Sequence, residues 1–115
     1  MTKSNKKTGT QFRNLLVVSI LLMFTNILIA ESNIEKIKLL LKQGKYENAE
    51  SIIKETIEYN LNNPEILFYR GIIQTNLGKT NQAIDTFRDL TERFPELPEP
   101  FNNLAVLYAE KVNLD

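Results

Sequence analysis

Shifted against itself by 34 residues, the chain lays QGKYENAE (residues 43–50) over LGKTNQAI (residues 77–84), with Gly44 on Gly78 and Ala49 on Ala83. The register continues as a pattern. Ile53 falls on Phe87, Ile57 on Thr91, and Leu67, Arg70, Gly71 and Gln74 fall on Phe101, Leu104, Ala105 and Tyr108. A period of this length belongs to stacked supersecondary units, each too small to bury its apolar side alone.

Each period reads as two helices. Ser32 and Glu35 form a capping box ahead of Ile34, Ile37, Leu40 and Leu41, which predicts a first helix from Ser32 to about Gln43. Gly44 supplies the left-handed residue that ends it, and Ala49, Ile52, Ile53 and Ile57 form the stripe of a second helix. Asn63 before Pro64 predicts an N-cap and first turn, opening a third helix with Leu67, Phe68, Gly71 and Ile72 that ends at Gly78. Thr80 is predicted to cap a fourth, with Ala83, Ile84, Phe87 and Leu90, closed by Pro95. Pro98 and Pro100 suit the first turn of a fifth, where a missing N–H costs nothing. Short loops make successive helices antiparallel neighbours, so the fold class is all-α. Gly71 and Ala83 should mark the close approach within one pair, with Phe87 and Leu90 filling the gap to the next.

The first thirty residues differ in kind. Lys3, Lys6, Lys7 and Arg13 give them a charge of +4 with no acid, and the remainder of this neutral chain carries −4. The basic flank precedes the largely apolar run Leu15–Ala30, the order of a secretory signal. Residues 1–30 are therefore read as a signal peptide cleaved after Ala30, or as a retained signal anchor. Either fate exports residues 31–115, to the periplasm or the extracytoplasmic face of an inner membrane if the source is bacterial. Membrane contact is expected only through residues 15–30, and only without cleavage.

The 115 residues allow one small domain beyond that segment. With no cysteine and no histidine, the commonest nucleophile, general base and metal ligands are missing together, so neither a cofactor, a metal nor a catalytic centre is expected. The acidic body disfavours nucleic acid. Glu47 with Glu50 and Asp85 with Asp89 stand at helical spacing, which leaves a carboxylate-dependent hydrolase as a rival reading, although a solvated charged face explains them.

Residues 64–97 resemble a tetratricopeptide repeat, whose pattern is W-x2-L-G-x2-Y, A-x3-F and P. Gly71, Ala83, Phe87 and Pro95 match, Leu67 stands in for Trp, and Arg70 and Gln74 replace the pattern's Leu and Tyr. Residues 98–115 resemble the first helix of a further repeat, through Phe101, Leu104, Ala105 and Tyr108. Residues 31–63 are similar to a degenerate copy, with Lys36 for Leu, Ile37 for the small residue, which should splay that pair, and Leu61 for Pro. The resemblance implies a short right-handed α-solenoid of about two and a half repeats after the N-terminal hydrophobic helix.

It also implies a scaffold that binds a protein or peptide segment on a concave face lined by the first helix of each pair. The matching positions are Glu65, Phe68, Ile72 and Thr75, then Glu99, Asn102, Val106 and Ala109, with Lys38 and Leu41 as an extension. Ile34, Phe68 and Asn102 occupy the turns where some members carry a basic clamp for a chaperone's C-terminal carboxylate, so that clamp is not assembled. An apolar or weakly basic segment suits these residues better.

The fifth helix carries Phe101, Leu104, Leu107 and Tyr108, more apolar surface than a capping helix should show. Three origins are open: a truncated gene product, self-association through the uncapped last helix, or a partner that supplies the next one. An inert remnant of a longer repeat protein is accordingly the alternative to a working adaptor.

Overall fold

The computed structural model describes residues 3–114, with side chains from residue 8. The side chains of Lys3, Lys6 and Lys7 and the whole of Asp115 lie outside the described residues. Among those described there are five helices and no strand: α1 (Lys3–Lys42), α2 (Tyr46–Glu58), α3 (Pro64–Asn76), α4 (Thr80–Arg93) and α5 (Pro98–Leu114). The chain divides into two compact units, Met1–Ser32 and Asn33–Asp115, with the boundary inside α1.

The predicted capping box does not start a helix. Between Thr10 and Gln43 there is neither glycine nor proline, so the helix propagates straight through Ser32. Inside a helix the backbone N–H groups already have partners four residues back, and a serine has nothing to cap. Glu35 instead accepts from Lys38 Nζ at 2.9 Å. In the first unit the large apolar side chains stay uncovered, with Leu15 64% and Met23 66% exposed. The stretch Thr8–Lys42 is long and apolar enough to cross a membrane, a test that a signal sequence also passes.

In the second unit the repeat is visible in the backbone itself. Gly44 and Gly78 have φ of +68° and +72°, the region that strains any side chain. After each comes the same pair of bonds. Lys45 and Lys79 donate to the Leu40 and Gln74 carbonyls at 2.9 Å, and Gly44 and Gly78 donate to the Leu41 and Thr75 carbonyls at 3.1 Å. This is the Schellman termination, which satisfies carbonyls a helix end would otherwise orphan. Lys45 and Lys79 then cap α2 and α4 with no side-chain hydrogen bond, so Thr80 is the first helical residue and not the predicted cap. Asn63 does cap α3, its Oδ1 accepting from the N–H groups of Glu65 and Ile66, with Pro64 at the first turn.

Close backbone packing joins α2 to α3, α3 to α4 and α4 to α5. The main core holds Leu67, Ala83, Ile84, Phe87, Leu90 and Leu107, flanked by Ile57, Phe68, Ile72, Phe94 and Leu104. A Cβ on Gly71 would lie 2.5 Å from the Phe87 ring, so it is this ring, and not Ala83, that makes the closest demand on the glycine. Phe87 therefore works inside its own pair as well as toward the next. Gln74, in place of the pattern's Tyr, is buried but satisfied, its Oε1 accepting from Thr86 Oγ1 at 2.7 Å. Arg70, in place of Leu, is exposed and lines a small cleft of about 130 Å³ with Glu50, Gln74 and Gln82.

On α5 the expectation for Leu107 is corrected, because it is 2% exposed and belongs to the core. Leu104 packs against that core, while Phe101 and Tyr108 are each 45% exposed. The helical stack is a short α-solenoid, preceded by the apolar part of α1.

Candidate functional site

The face carrying the expected groove is built from the first helix of each pair. The C-terminal turns of α1 reach α3 through Lys38, whose Nζ binds Glu35 at 2.9 Å and Glu65 at 3.1 Å and sits 5.9 Å from the centre of the Tyr69 ring. These two carboxylates hold the Lys38 ammonium well above the usual lysine range, Glu35 contributing most. Burial pushes the Tyr69 hydroxyl up in turn. Glu35, Lys38, Leu39, Leu41, Lys42 and Tyr69 line an open cleft of about 560 Å³ here, which takes in the predicted extension at Lys38 and Leu41.

Between α3 and α5 lies a second cleft, of about 280 Å³, lined by Pro64, Glu65, Phe68, Leu97, Glu99 and Pro100. It unites three of the predicted residues, Glu65, Phe68 and Glu99. Phe68 forms the apolar wall, held edge-on to Phe87 with ring centres 5.8 Å apart. Glu65 is committed to Lys38, whereas Glu99 makes no ion pair among the described residues. The net charge at the mouth is thus carried by Glu99.

The other five predicted residues of α3 and α5 do not line this cleft. Ile72 is half-buried against the core, and the half-buried Thr75 donates its hydroxyl to the Gly71 carbonyl at 2.9 Å. Asn102 and Val106 are exposed on α5, as is Ala109. Sequence reasoning missed Pro64, Pro100 and Leu97. It read the prolines only as helix openers, and Leu97 stands in a loop where no periodicity points to a face. A fixed φ and absent N–H at Pro64 and Pro100 nonetheless give the cleft rigid apolar edges.

Three of the four carboxylates of the rival reading, Glu50, Asp85 and Asp89, are engaged in ion pairs. Asp85 binds Arg88 and Asp89 binds Arg93, both at 2.8 Å. Glu50 accepts from Lys79 and lies 3.4 Å from Lys54. The Lys79 hydrogen bond lowers the Glu50 pKa, opposite to the shift a general acid requires.

Residues 65–96 match the family model described as the tetratricopeptide repeat. The match spans α3, α4 and the turn after them, and so supports the repeat reading at the pair with the tightest core. No curated protein matches the chain. Repeats of this kind generally mediate contacts between proteins and are typically non-catalytic.

Proposed function

We propose that the protein is an interaction scaffold, exported or tethered to a membrane by the apolar part of α1, that holds an extended segment of another protein along the face of α3 and α5. The observation that carries this reading is the cleft between those helices, with Phe68 as its wall and Glu99 as its unpaired charge. An aliphatic side chain fits the wall, and a lysine or arginine beside it meets Glu99. The extracytoplasmic face of a bacterial inner membrane, or the periplasm, is the location that the basic flank of residues 1–13 favours.

Two measurements test the reading. Labelled leucine-rich peptides, identical except for one flanking Lys or Glu, are titrated against the full-length chain by fluorescence anisotropy. The Lys peptide should bind more tightly, Glu99→Lys should reverse the order, and Phe68→Ala should weaken both. Equal binding of the two peptides would sink the assignment. A reporter enzyme active only outside the cytoplasm, fused after the last residue, should be active.

A further inference from the structure

Retention of residues 15–30 in a membrane, on which this inference rests, leaves one polar group of that run without a partner. Ser19 Oγ donates to the Leu15 carbonyl at 2.9 Å and Thr25 Oγ1 to the Leu22 carbonyl at 2.8 Å, so both hydroxyls are satisfied by their own helix. The exposed side chain of Asn26 makes no hydrogen bond among the described residues. It lies five residues before Glu31. That is about 7.5 Å along the helix axis, farther than a carboxamide on one methylene can reach toward water. Asn76 and Asn103 donate to carbonyls four residues back in their own helices, but Asn26 makes no such bond, and in hydrocarbon a partner on another helix satisfies its donor and its acceptor together.

The surroundings of Asn26 specify that helix. Phe12, Ser19 and Asn26 recur every seven residues, and Leu15, Leu22 and Ile29 follow each by three. These are the a and d positions of a heptad seam, where a single asparagine at a fixes register and oligomeric state. A carboxamide carries both a donor and an acceptor, so the same residue on another copy is its complement.

We propose that α1 pairs, within the membrane, with α1 of a second copy, parallel and in register, through reciprocal Asn26 hydrogen bonds in a seam of Phe12, Leu15, Ser19, Leu22, Asn26 and Ile29. Insertion gives both copies the same orientation, which makes the pair parallel. The small Ser19 lets the backbones approach near the middle of the run, and a heptad seam sets a left-handed crossing of about 20°. The basic flanks then lie side by side, where anionic headgroups offset their repulsion.

The chain contains no cysteine, so introduced thiols report on the seam without background. Full-length chains carrying L15C, S19C or L22C, and off the seam V17C, L21C or F24C, are oxidised in native membranes and resolved by denaturing gel. Seam positions should give covalent dimer at least fivefold above the others. Adding Asn26→Leu to S19C should weaken pairing about tenfold, and Asn26→Gln should preserve it. Unphased cross-linking, or yields indifferent to Asn26→Leu, would overturn the proposal. Intact mass of the membrane-bound chain tells the two possible failures apart. A mass starting near residue 31 removes the anchor and overturns retention and pairing together, whereas a full-length mass with unphased cross-links overturns pairing alone.

Discussion

The two helix pairs of the stack solve one packing problem with opposite choices. At equivalent places, 34 residues apart, the α3–α4 pair has Gly71 and Phe87 where the α1–α2 pair has Ile37 and Ile53. All four are buried. In the later pair the glycine leaves a gap that one aromatic ring fills, and the backbones of α3 and α4 come close. In the earlier pair two buried branched aliphatic residues stand at these places, and α1 and α2 have no comparably close backbone packing. Their contact is instead made by side chains, with Asn33 Nδ2 donating to Thr56 Oγ1 at 2.9 Å. The bulk is distributed differently in the two pairs, which cores tolerate so long as each site is filled. The difference teaches that the repeat register survives loss of the repeat's signature residues.

The largest effect should come from emptying the glycine's complement. Phe87→Ala removes a fully buried ring and should cost about 3–5 kcal/mol in urea unfolding of the full-length chain followed by circular dichroism. Ile37→Ala should cost less, about 2–4 kcal/mol, because the looser first pair has room to relax. If the order of these two is reversed, the contrast between the pairs is wrong. Gly71→Ala should cost about 1–3 kcal/mol by overpacking the ring. Combining it with Phe87→Ile, the residue of the earlier pair, should recover part of that loss, so additivity of the two changes would break the idea of exchanged volume.

How much of this could be read beforehand follows the same division. Gly44, Gly78 and the Asn63–Pro64 junction were legible because each states a backbone conformation that neighbours cannot override. The capping box at Ser32 misled because a cap is a local signal, and the helix-forming run before it had already supplied the turn it would have begun. Leu107 was expected at the surface and lies in the core, since periodicity alone cannot say which side of α5 faces α4. Within the candidate site, Phe68 followed from register, and Glu65 and Glu99 with it. Leu97 did not, because a loop residue's position is set by the tertiary fold and not by spacing.

Asn63→Ala sharpens the comparison at smaller scale. The α3 cap is made by a side chain, whereas α2 and α4 rely on the Schellman turns before them. The substitution frees the N–H groups of Glu65 and Ile66 and should cost about 1 kcal/mol in the same unfolding assay. Lys45→Ala should cost nothing measurable there, since that residue caps with its backbone alone.

The smallest effect is a pH dependence of the tie between the two pairs. Lys79, at the start of α4, donates to Glu50 on α2 and holds its carboxyl below the ordinary value near 4.5, with burial opposing and Lys54 assisting. A folded pKa below the unfolded one means that ionised Glu50 stabilises the fold above that ordinary value. The contribution then fades as pH falls through it toward the depressed folded pKa. Since the pair is partly solvated, its full worth is under about 1 kcal/mol. Glu50→Gln should therefore lower the unfolding midpoint slightly at pH 7, and the gap to the parent chain should narrow as pH falls below the ordinary carboxyl value near 4.5. A gap that does not change with pH would assign Glu50's role to packing instead, and would leave Arg93, which donates to the Leu61 carbonyl at 3.1 Å, as the principal polar tie from α4 back to the α2–α3 loop.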